Sequence, residues 1–157
     1  MNTRLDHALC GARGTPLRPN PENAVKALVL LLGFFDGGRR WISGYAEHEG
    51  RHCLIAGVLH ISSECDINGR FGAEYCPYYG AHHYSVCHYL RSALSRIKPD
   101  YFHNSDVDLI DYNDDASDYS TVRDLITKAI NLARSEIANM GRARGLQKGR
   151  LDLDLVE

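Results

Sequence analysis

Between residues 65 and 103 the chain gathers Cys65, Cys76, His82, His83, Cys87, His88 and His103, the donor types that hold zinc. His83 and Cys87 stand four apart. On a helix that spacing places both side chains on one face, where they can grip a single ion, and Cys65 and Cys76 are the residues that would complete a tetrahedral set. Against zinc, the gaps of eleven between Cys65, Cys76 and Cys87 match no finger or ribbon spacing, and the plainer reading is buried thiols with histidines at a polar edge. A second chemistry is a cysteine nucleophile. Cys53 opens the apolar run Cys53-Leu-Ile-Ala-Gly57-Val-Leu59, where a helix dipole can lower a thiol pKa, with His48 and His52 close in sequence as bases. Neighbours on a regular element point in different directions, so a core cysteine is again the plainer reading.

The same stretch is rich in tyrosine. Tyr75, Tyr78, Tyr79 and Tyr84, with His88, make residues 71–91 an amphipathic aromatic surface of the kind found at protein interfaces. The alternative is a loop packed on its own helices by those rings.

Charge is segregated. The 157 residues carry a net charge of -2, yet residues 100–120 hold seven Asp with no Lys or Arg, and residues 141–150 hold Arg142, Arg144, Lys148 and Arg150 with no acid. Near-neutral totals argue against a chain built chiefly to bind nucleic acid, although the short basic segment remains a route to a phosphate backbone. Asp111-x-Asn113-x-Asp115 opens like a calcium loop, but Ala116 replaces the turn glycine and Val122 the bidentate glutamate. The acidic stretch therefore reads as a solvated loop.

Those groups need elements to position them. Residues 1–20, with Gly11, Gly14, Pro16 and Pro19, read as a flexible arm. Asn20-Pro21-Glu22 is a helix start, and an almost wholly apolar helix should run to Phe35 and stop at Asp36-Gly37-Gly38. Trp41 to Arg51 suits a loop or a short strand pair. Further helices are expected over about 52–63, over 81–97 before Lys98-Pro99, and over 120–140, where Val122, Leu125, Ile126, Ala129, Ile130, Ala133 and Ile137 form one stripe ending at Gly141. The expected architecture is a mainly α single domain over residues 21–140, of about four helices with a short two-stranded β element as an option. Residues 141–157 read as a basic then acidic tail.

Trp41-x-x-Gly44, Cys53-x-x-x-Gly57-Val-Leu59 and Tyr112-Asn113-Asp114 before the last amphipathic helix resemble a bacterial and phage family of unknown function. That family carries W-x-x-G, C-x-x-G-A-L and W-N-D motifs. Tyr112 here replaces the tryptophan and Val58 the alanine, and residues 66–80 look like an insertion. The resemblance implies no activity. The motif residues Trp41, Cys53, Gly57, Asn113 and Asp114 read most simply as structural: Asn113-Asp114 for a turn and side-chain caps, Cys53 and Gly57 for close packing.

No signal-peptide run opens the chain, and its longest apolar run falls far short of a membrane span of roughly 20 residues. The expectation is a cytoplasmic binding or accessory protein with no cofactor and no membrane contact. It would act through another protein or a second copy of itself, by way of residues 71–91 and the tail. The runners-up are a small zinc or cysteine enzyme and a nucleic-acid accessory protein.

Overall fold

The computed structural model describes residues 18–68, 81–100 and 105–153. These form five α-helices and one short hairpin: α1 (Pro21–Phe35), β1 (Glu47–His48), β2 (Arg51–His52), α2 (Leu54–Asn68), α3 (Ala81–Ile97), α4 (Asp106–Asp115) and α5 (Tyr119–Leu153). The expected mainly α domain with a strand pair is the architecture observed, with one helix more than the pattern gave.

Helix α1 starts as its sequence demands. Asn20 Oδ1 accepts the Asn23 N–H at 3.0 Å, Pro21 occupies the first turn where no N–H is needed, and Glu22 faces the positive dipole end. Its other end turns at Asp36, whose φ of 49° is left-handed. The buried face carries Ala24, Leu28, Leu31 and Phe35, and α1 packs on α2, α3 and α5 together. Although the helix is almost wholly apolar, it is not buried all round: Val29 and Leu30 are 45% and 47% exposed.

The hairpin is antiparallel, with Glu47 opposite His52 and His48 opposite Arg51. Its two turn residues, Glu49 and Gly50, have φ of 50° and 73°, the double left-handed geometry of a tight hairpin turn. Glycine supplies one of these at no steric cost.

Helix α4 is the correction to the sequence reading. The acidic composition predicts a solvated loop over residues 106–115, but Leu109, Tyr112, Asn113 and Ala116 recur at helical steps and are buried against the other helices. Ser105 N–H donates to Asp108 Oδ2 at 3.1 Å, closing the first turn, where Asp106 and Asp108 also suit the dipole. A helix over Asp111–Asp115 also excludes the calcium-loop geometry there.

Helix α5 starts within a residue of the expected place and differs at its other end. It begins at Tyr119, where Asp118 accepts from Ser120 N–H at 2.8 Å, and it continues past Gly141 to Leu153. Residues 141–153 are thus helical instead of a separate tail. Val122, Leu125, Ile126, Ala129 and Ala133 are buried as their stripe predicts. No helix among the described residues is long and apolar enough to cross a membrane.

Candidate functional site

Three places carry the residues that the sequence singles out. In the first, the motif residues Trp41, Gly44, Cys53, Asn113 and Asp114 come together. Asn113 is fully buried near the end of α4, and its amide is completely used. Its Oδ1 accepts from Trp41 Nε1 at 2.7 Å and from Leu54 N–H, at the start of α2, at 3.0 Å. Its Nδ2 donates to Ile42 O at 3.2 Å and to Asp114 Oδ1 at 3.1 Å. Asp114 Oδ1 also accepts Gly44 N–H at 2.8 Å. One side chain therefore ties the segment before the hairpin, the start of α2 and α4 into one clasp.

Cys53 completes that joint as the cap of α2. Its N–H donates to Ala46 O at 3.0 Å, and its Sγ lies 3.4 Å from Ala56 N–H, in the place of a capping oxygen. The sulfur is buried and occupied by backbone. The contacts of His48 and His52 lie with other groups: His48 is 3.7 Å from Glu49 and its ring 5.6 Å from Tyr45, while His52 is 3.8 Å from Glu47 and its ring 5.0 Å from Phe34. Gly57, one turn further along α2, faces α1. A Cβ there would stand 2.6 Å from Phe35 Cζ, so glycine sets the approach of the two helices. The structural role expected for Trp41, Cys53, Gly57, Asn113 and Asp114 has a physical basis in these contacts.

The second place is the face of α3 turned to the first turn of α4. Cys87 Sγ lies 3.6 Å from His83 Nε2, and His83 Nε2 lies 3.8 Å from Asp106 Oδ2. The other oxygen, Asp106 Oδ1, takes Arg91 Nη1 at 2.6 Å. His83 and Cys87 are buried, while Asp106 is partly open. The adjacent His83 ring, together with Arg91, holds the Asp106 carboxyl below its usual range against the opposing effect of burial. Burial, then the Asp106 charge, pushes the Cys87 thiol well above its ordinary value, which keeps it protonated and a poor nucleophile.

Of the expected zinc set, the structure brings together His83 and Cys87. Cys65 is buried near the end of α2, outside the group whose donor atoms lie within 4.8 Å of one another, and Cys76 falls outside the described residues. Asp106 was missed because it was one acid among seven in an apparent loop. Arg91 was more visible, since His83, Cys87 and Arg91 continue one four-residue step along α3.

The third place is the surface. Tyr75, Tyr78 and Tyr79 lie outside the described residues. Tyr84 and His88 are half-buried on α3. His88 packs edge-on to Tyr89, 5.0 Å between ring centres, and burial lowers its pKa. Tyr89 donates to Glu136 Oε2 of α5 at 2.5 Å. The aromatic segment is thus in part internal packing. Arg142 and Arg144 are exposed on α5, and Arg142 donates to Asn139 Oδ1 at 2.6 Å.

Comparison with protein-family models, with curated proteins and with solved structures gave no match.

Proposed function

We propose that this chain is a binding or accessory protein that works through protein contact, and that the carboxyl end of α5 carries the contact. The observation behind this reading is the exposure of that end. From Glu136 to Gly145 every residue is exposed except the half-buried Ile137. Each interior glycine costs a helix about 1 kcal/mol relative to alanine, and Gly141 and Gly145 both lie in this stretch. A short helical length standing off a core is marginal in water, so packing against a partner is what would stabilise it.

Charge complementarity favours a second copy of the chain as that partner. Asp111, Asp114, Asp115 and Asp118 are exposed around the end of α4 and the start of α5, while Arg142 and Arg144 are exposed near the other end of α5. At 1.5 Å per residue, Asp118 and Arg142 are about 36 Å apart along the helix, so the two clusters cannot pair within one chain. Two antiparallel copies would place each basic end on the other's acidic end. That arrangement is two-fold and closed.

In this reading the protein works in the reducing cytoplasm, which the buried unoxidised thiols Cys53 and Cys87 support. The motif residues Asn113 and Cys53 would then serve the fold and not the contact, since they are engaged with backbone and indole. Sedimentation velocity at low salt tests the contact. Wild type should form a dimer that weakens as salt rises, and the double variant Arg142→Glu/Arg144→Glu should be a monomer. A wild-type monomer at every concentration removes the reading. So does tight, salt-sensitive capture of duplex DNA without self-association, which would assign the basic end to a phosphate backbone instead.

A further inference from the structure

We propose that His83, Cys87 and Asp106 form a zinc(II) site where α3 meets the first turn of α4. The spacing of the donor atoms carries this. Zinc holds imidazole nitrogen at about 2.0–2.1 Å and thiolate sulfur at about 2.3 Å in tetrahedral geometry, so a nitrogen and a sulfur on one ion lie about 3.6 Å apart. His83 Nε2 and Cys87 Sγ are 3.6 Å apart. A nitrogen and a carboxylate oxygen on the same ion would be about 3.4 Å apart, and His83 Nε2 to Asp106 Oδ2 is 3.8 Å, a difference that a small rotation of the partly open Asp106 closes. The three donor atoms all lie within 4.8 Å of one another.

The surroundings fit the same ion. His83 and Cys87 come from successive turns of one rigid helix, so two ligands are fixed before the metal arrives. Arg91 occupies only Oδ1 of Asp106 and leaves Oδ2 facing His83, so it orients the carboxylate as partners around a metal site do. A thiolate, an imidazole and a carboxylate together select zinc over magnesium or calcium, which take oxygen sets. Three protein ligands leave a fourth position, which the exposure of Asp106 opens to water. Binding releases the Cys87 proton to solvent, forms the Zn–S bond and changes no oxidation state. It also joins α4 to α3 by an ion.

The test uses zinc(II) and cobalt(II) alone, added to the full chain after exhaustive chelation. The expected result is about one equivalent of zinc bound, with a thermal transition raised by the metal. The cobalt form should show tetrahedral visible bands and a thiolate-to-cobalt charge-transfer band. Asp106→Asn, which keeps the shape of a partly exposed side chain, should weaken zinc at least about tenfold, and Cys87→Ser should remove the charge-transfer band. The proposal is overturned if the folded wild type retains under about a tenth of an equivalent. Two further results would also overturn it: a wild-type cobalt complex without a thiolate band, or equal zinc affinity in wild type and both variants. The wild-type cobalt spectrum decides the matter even if a variant fails to fold.

Discussion

Trp41 Nε1 donates to Asn113 Oδ1 at 2.7 Å across 72 positions of sequence, and that bond joins the segment before the hairpin to the last turn of α4. The same oxygen receives the first N–H of α2. Helices leave their first N–H groups without partners inside the helix, and here a distant amide, with the Cys53 sulfur, satisfies two of them. Fold closure thus depends on one buried polar residue with all four hydrogen-bonding positions occupied.

Asn113→Ala should therefore be costly. It strands the Leu54 N–H and the Trp41 indole N–H away from full hydration, and each buried polar group left without a partner costs about 1–3 kcal/mol. A loss of about 2–4 kcal/mol in urea denaturation is expected. A loss below about 0.5 kcal/mol would mean that the clasp does not hold the fold.

Two glycines of the α1–α2 pair should respond oppositely to alanine. At Gly57 the added methyl meets Phe35 Cζ at 2.6 Å and Leu31 Cδ1 at 3.1 Å, and overpacking of this kind costs about 1–3 kcal/mol. At Gly33, inside α1, nothing lies within 4 Å, so Gly33→Ala should stabilise by about 0.5–1 kcal/mol through helix propensity. Melting curves of the two variants, compared with wild type, check both signs.

His52 gives stability a pH dependence. Burial lowers its pKa below the ordinary value of 6.5, with His60 and Arg40 adding and the Glu47 carboxylate opposing, while the ring packs on Phe34. The unfolded chain therefore takes up the proton first as pH falls. The contribution of neutral His52 is complete above about pH 6.5 and is lost on descending through the folded-state value. The urea midpoint of wild type should drop more between about pH 7.5 and pH 5.5 than that of His52→Gln. Equal drops would remove His52 as the cause.

What the sequence revealed follows from which signals are local. The α1 start, the glycine-rich stop at Asp36, the α3 boundaries before Pro99 and the α5 stripe are written in neighbouring residues, and they stand where expected. Helix α4 was hidden because its aspartates obscured the Leu109, Tyr112 and Ala116 steps. Gly141 resembled a stop, yet α5 continues through it, since glycine permits a left-handed end without imposing one. In the candidate zinc site, the His83–Cys87 pair was legible as an i, i+4 step. Asp106 was not, because only packing of α4 on α3 brings it to them.

The contact proposed for α5 is tested most directly by a charge-exchange mixture. Arg142→Glu/Arg144→Glu and Asp111→Lys/Asp115→Lys variants are each expected to be monomers in sedimentation velocity at low salt, because each alone faces like charge. An equimolar mixture should restore the dimer, since every exchanged basic end then meets an exchanged acidic end and both unexchanged ends remain paired. A mixture that stays monomeric while wild type dimerises would contradict the antiparallel pairing.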